Sequence, residues 1–185
     1  MKLTVFQFEG TPEELDASEL LQKLTGQSHS AVSVVVDADQ NITPSARIPG
    51  VAEEGQETVR DLLARSPAPE LFVRFLEETT RWDNVVVHGI KRKNAQSGAP
   101  LDYGRYLRLR KQGSQFGGFA YVYPECSSIN LRLNYTDERL KSLGITNART
   151  LHTGHPEYRV SFDLTGGEPS LTDALRLAEL AYNAT

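Results

Sequence analysis

The chain predicts an α+β protein with an antiparallel sheet in its C-terminal half, packed on one face by helices. Three observations carry that expectation. Strand-like segments with hairpin spacing recur between residues 106 and 135, the pattern of an antiparallel meander. Runs with apolar residues at helical spacing lie on either side of them. Within the strands, apolar positions alternate with Arg, Asn and Ser, so that one sheet face packs and the other displays polar groups. At 185 residues and 39% hydrophobic, the chain has enough apolar material for a real core. The expected organisation is an N-terminal α/β segment with a helical pair at 1–85 and a C-terminal α+β domain at 86–185, or one continuous domain.

Residues 2–8 read as a strand with apolar positions on both faces, ended by Gly10. Thr11-Pro12-Glu13-Glu14 is a helix start: Thr11 caps, Pro12 fits the first turn and Glu14 completes a capping box. That helix runs to about Leu24, and residues 31–36 form a second, buried strand. Asp37, Asp39 and Asn41 have the spacing that opens a calcium loop. Ile42 and Ile48 stand where such a loop needs Gly and Glu, so a solvated turn is expected and no metal.

Helices are expected at 53–64 and 69–81, separated by Pro67 and Pro69. Two short helices in succession suggest a helix-turn-helix, but the second ends in Glu77 and Glu78 and has only Arg74 and Arg81 as cations. It suits core packing better than groove reading. Strands follow at 84–90, 106–111, 119–123 and 129–135, with a turn at 124–128. A helix at 136–143 stops at Gly144, residues 145–151 read as a short extended segment, and 158–164 is an alternating strand. Ser170 is expected to cap a final helix beginning at Leu171.

Strand parity sets Leu107 and Leu109 against Tyr106, Arg108 and Arg110. It sets Ile129, Leu131, Leu133 and Tyr135 against Asn130, Arg132 and Asn134, and Tyr158, Val160, Phe162 and Leu164 against Arg159, Ser161 and Asp163. In the middle strand, Phe119, Tyr121 and Tyr123 oppose Ala120 and Val122. The inward placement is the expectation for these three rings. Outward tyrosines would instead combine flat rings with guanidiniums, a pairing suited to phosphate contact and base stacking.

Charge is distributed unevenly. His88 to Gln112 holds seven basic residues and one acid, a net +6, and the rest of the chain holds 13 basic against 23 acidic residues, a net −10. A cationic segment in an acidic molecule points to a polyanion. The expected function is a non-enzymatic nucleic-acid-binding or nucleic-acid-associated accessory protein, with DNA or RNA as partner. The residues expected to carry it are Lys91, Arg92, Lys93, Arg105, Tyr106, Arg108, Arg110, Lys111 and Arg132. The alternative is a protein–protein interaction module or a homodimer.

No catalytic residue is expected. None of the six lysines has Asp or Glu two positions before it, which counts against a restriction-type nuclease. His152 and His155 offer two metal ligands without evident companions. Cys126 beside Glu125 is disfavoured as a nucleophile, since an acidic neighbour raises a thiol's pKa. There is no phosphate-binding or dinucleotide fingerprint, so no cofactor is expected. A lone cysteine fits a reducing compartment, and no apolar run reaches the roughly 20 residues that span a bilayer. The N-terminus reads as a strand rather than a signal peptide, and the expected location is cytoplasmic.

The stretch from about Gly104 to Tyr182 contains FGGFAYVYPECSSINLRLNY, then TDERL, then GITNARTLHTGHPEYRVSFDL and a helix ending in AYN. In this order it resembles a small uncharacterised domain described as a predicted transport protein, which also occurs fused to restriction-type or other DNA-associated proteins. The resemblance covers roughly the C-terminal two-fifths of the chain. It brings no catalytic residue to carry over, and its transport label finds no membrane segment here.

Overall fold

The structure, a computed structural model, describes residues 47–91 and 96–185. The expectations for 2–8, 11–24, 31–36 and 37–41, and those for Arg92 and Lys93, lie outside the described residues.

The described chain is α+β. Two helices, α1 (Glu53–Leu63) and α2 (Pro69–Thr80), lead into β1 (Val85–His88), β2 (Leu107–Lys111) and β3 (Ala120–Tyr123). A 3₁₀ turn (Pro124–Cys126) precedes β4 (Ser128–Leu131). Then come α3 (Asp137–Ser142), β5 (Ala148–Thr150), β6 (Val160–Asp163) and α4 (Glu168–Asn183). The six strands form one sheet in the order β1-β2-β3-β4-β6-β5, and every pairing is antiparallel.

The core lies between the sheet and α1, α2 and α4. Val59 and Leu63 of α1, Phe72, Phe75 and Leu76 of α2, and Leu171, Ala174, Leu177, Ala178 and Ala181 of α4 join Leu107, Leu109, Val122, Ile129, Leu131, Val160 and Phe162 of the sheet. The helical pair therefore shares one core with the strands. Buried Gln56 pins the entering chain to α1. Its Oε1 accepts from Ile48 N–H at 2.8 Å, and its Nε2 donates to the carbonyls of Ile48 at 3.0 Å and Val51 at 2.7 Å. Gly55 is a poor helix former that the packing requires: a Cβ there would stand 2.6 Å from the ring of buried Tyr103.

Three expectations are corrected. The last helix begins at Glu168, with Pro169 in its first turn, and Ser170 sits inside it, donating to the Asp163 carbonyl instead of capping. The strand expected at 129–135 ends at Leu131, because Leu133 N–H turns back onto the Leu131 carbonyl at 2.9 Å. Tyr158, expected inward with Val160, is buried but outside the core cluster, and precedes the start of β6.

The two edges of the sheet differ. Beyond β5, the outward Thr150 N–H donates to Asp137 Oδ1 at 2.8 Å. These bonds with Thr150 hold the Asp137 carboxyl below the usual carboxylate range. Among the described residues, nothing pairs as a strand with the outer side of β1. No helix among the described residues is long and apolar enough to cross a membrane.

Candidate nucleic-acid interface

Pairing register carries one row of side chains across the face opposite the helices. It runs His88, Arg108, Tyr121, Asn130, Ser161 and Arg149, one from each strand. Beside it lie Val86 and Arg110 on one flank, and Tyr123, Ser128 and Asp163 on the other. Tyr121 and Tyr123 thus face outward with the guanidiniums, against the inward expectation. Ala120 and Val122 occupy the inward positions of β3. Phe119, just before the strand, is the ring of the three that goes inward. It packs on Trp82 and Tyr182 with centroids 6.1 and 5.7 Å away.

The rings form a continuous track. Tyr106 lies 5.4 Å from Tyr123 and 5.0 Å from Tyr121, and Tyr121 stacks on Tyr158 at 4.1 Å. Tyr158 is fixed from below: its hydroxyl donates to the Gly118 carbonyl at 2.7 Å, and burial pushes its phenol up to about 12. It is therefore a neutral donor at ordinary pH. Arg132 continues the track, its guanidinium 5.1 Å from the Tyr158 ring and 5.3 Å from Phe116. Phe116 is 37% exposed, the one exposed large hydrophobic among the described residues. At Gly118 the backbone passes under Arg108: a Cβ would stand 2.8 Å from that residue's Cγ, so glycine is needed for this approach.

Charge is not uniform over the face. On the β4–β6–β5 side, Arg132 pairs with Glu157 at 2.6 Å, and Arg149 pairs with Asp163. On the β1–β2 side, Arg105, Arg108 and Arg110 make no ion pair among the described residues. Arg108 lies over the Tyr121 ring at 5.3 Å. Arg110 Nε is buried with no hydrogen-bond partner. His88, between strand ends of the same sign, has its pKa lowered by burial and then by Arg110 and Arg108. Arg105 is near enough to Tyr123 to act on its phenol, whose pKa is raised mainly by burial.

The residues expected at the site are not all brought together. Tyr106, Arg108 and Arg110 share the face, and Arg105 is exposed just before β2, near enough to Tyr123 to act on its phenol. Lys111 has the opposite parity and places its Nζ 4.2 Å over the Tyr182 ring on the helix side. Arg132 lies on the face, but its charge is already engaged: the side chain is 15% exposed, donating to the Gly118 carbonyl at 2.9 Å and pairing with Glu157. Lys91 is exposed beside the bridge between Ile90 and Asp102. Sequence reasoning missed His88, Phe116 and Tyr158 as members of the face, whereas strand parity had set Asn130 there with Arg132. Alternation in the strand 84–90 was a usable signal for His88, but Phe116 and Tyr158 lie in irregular segments that alternation does not reach. Among the described residues no three His, Cys, Asp or Glu side chains gather as metal ligands.

No family model matches the chain, and neither a curated protein nor a solved structure matches it significantly.

Proposed function

We propose that this protein binds nucleic acid through the face opposite its helices, with Arg105, Arg108 and Arg110 as phosphate contacts. The observation that carries this reading is the set of guanidiniums on β2 and just before it that no carboxylate among the described residues neutralises, beside a track of outward rings. Arg47, Arg65, Arg74, Arg81, Arg132 and Arg149 have acidic partners, and Arg159 and Arg176 donate to backbone carbonyls. Unpaired cations beside aromatic rings suit phosphates and bases together.

The test is fluorescence anisotropy with labelled RNA and DNA across a salt series. The double substitution Arg108→Glu and Arg110→Glu abolishes binding. The milder Arg108→Gln, Arg110→Gln pair lowers the slope of log affinity against log salt by about 1.4 for a single strand, roughly 0.7 for each phosphate contact. Circular dichroism melts confirm folding of both variants. If the charge-reversed protein holds both nucleic acids as the parent does, the assignment of the site fails.

A second reading has its own observation in its favour. β1 is a sheet edge carrying Val85, Val86 and Val87, with no strand paired on its outer side among the described residues. An edge of β-branched residues that no described strand pairs is a template for pairing with another chain, so self-association through β1 is the alternative to, or the companion of, nucleic-acid binding.

A further inference from the structure

We infer that the ligand of this face is a single strand, RNA or DNA, lying along β2 and β3 with its phosphates over Arg108 and Arg110 and its bases on Tyr106, Tyr123 and Phe116. This rests on the nucleic-acid reading above and deepens it. Three features of the face separate a single strand from a duplex.

The first is the one-sided charge. A duplex presents two phosphate backbones flanking each groove, and a protein that holds it needs cations on both flanks. Here Arg108 and Arg110 make no ion pair among the described residues on the β2 side, whereas Arg132 and Arg149 on the far side are taken by Glu157 and Asp163, leaving there only Arg159, whose Nε donates to the Pro156 carbonyl at 2.9 Å. The cations are thus weighted toward one backbone. Alternate residues of a strand lie about 6.7 Å apart, so the two guanidiniums are spaced for successive phosphates of an extended chain.

The second is the setting of the aromatic rings. Paired bases hide their faces in the stack and show a protein only their edges in the grooves, which are reached by a projecting helix or ribbon. The rings here belong to a sheet and its bordering loops. They offer π-faces to bases that are already unpaired.

The third is which rings are available. Tyr121 is covered by Tyr158 on one contact and by Arg108 on another, so it supports the surface rather than receiving a base. Tyr106 and Tyr123 meet at 47°, a tilted contact that leaves ring surface unstacked, and Phe116 is the exposed ring at the opposite end of the track. From Tyr123 to Phe116 the track has room for on the order of two or three stacked bases. Asn130, in the central row, donates to the Tyr123 hydroxyl at 3.4 Å and places a neutral amide beside the track. RNA and DNA share this chemistry, and separate probes distinguish them.

The experiment uses the full chain with labelled oligo(U), oligo(dT) and a mixed-sequence duplex of equal length in anisotropy titrations at fixed salt. Both single strands, or one of them, bind at least tenfold more tightly than the duplex. Phe116→Ala and the pair Tyr106→Leu, Tyr123→Leu each weaken single-strand binding roughly tenfold and leave duplex binding where it was. Leucine keeps the half-buried positions filled, and Tyr106→Phe with Tyr123→Phe restores affinity because stacking needs the ring and not the hydroxyl. Duplex bound as tightly as the single strands, or ring variants with parental affinity, overturns the single-strand inference and leaves the nucleic-acid reading intact. Failure of all three probes to bind overturns both.

Discussion

His88 has the most to say at the scale of a residue. It stands across from Arg108 in the cross-strand row, with Arg110 on the same face of β2, and no carboxylate faces it among the described residues. Burial and these two cations lower its pKa from the ordinary value near 6.5. The sign of the consequence is fixed by linkage. The unfolded chain takes up the proton first as pH falls, so the stability associated with neutral His88 is fully present above about 6.5 and is lost as pH drops toward the folded value. Binding has the opposite sign. Burial is the largest cause of the lowered value, but a polyanion on Arg108 and Arg110 would offset the repulsion from these two cations and add its own negative charge, and is expected to raise the His88 pKa and draw in a proton. Affinity for a single strand is expected to strengthen between about pH 7.5 and about pH 5.5, and His88→Gln to flatten that dependence. Anisotropy at the two pH values measures it, and an unchanged parental affinity removes His88 from the interface.

Among the elements, α4 shows how tightly the sheet is covered. Ala174, Ala178 and Ala181 are fully buried and recur at helical spacing, which lets the helix axis approach its neighbours closely. Ala178→Leu overfills that contact. It is expected to lower stability by about 1–3 kcal/mol in urea denaturation, although leucine is nearly as good a helix former. A stability equal to the parent's would mean that the helix sits farther from the core than its burial implies.

The elements themselves were legible in the sequence. Pro67, Pro69 and Gly144 set helix ends, and alternation located the strands and put Arg108 with Arg110. The direction of Tyr121 and Tyr123 was not legible. Parity alone leaves Ala120 and Val122 looking too small for an inward face. They suffice because Phe119, one residue ahead of the strand, fills the core against Trp82 and Tyr182. Tyr158 was missed for a related reason. Alternation says nothing about a residue two positions before the strand, where the turn at Pro156 and Glu157 resets its direction. Lys111 shows the converse: counting cations along a segment ignores that a strand sends every second one to the other side.

For the molecule as a whole, the question is what happens at the two ends of the sheet. Light scattering over a concentration series tests the pairing of β1 with a second copy. The expected outcome is a dimer that Val86→Lys returns to one chain, since a lysine on an edge strand opposes strand addition. A mass of one chain at every concentration removes that reading and leaves the nucleic-acid proposal untouched.

The carboxylate of Asp137, seated on the Thr150 amide, bears on the same question. A sheet able to grow at both margins would recruit copy after copy into a fibre. With the outward amide of Thr150 at one margin already taken by its own helix, an association through β1 would stop at two chains, and the symmetric pair would be closed by geometry rather than by scarcity of protein.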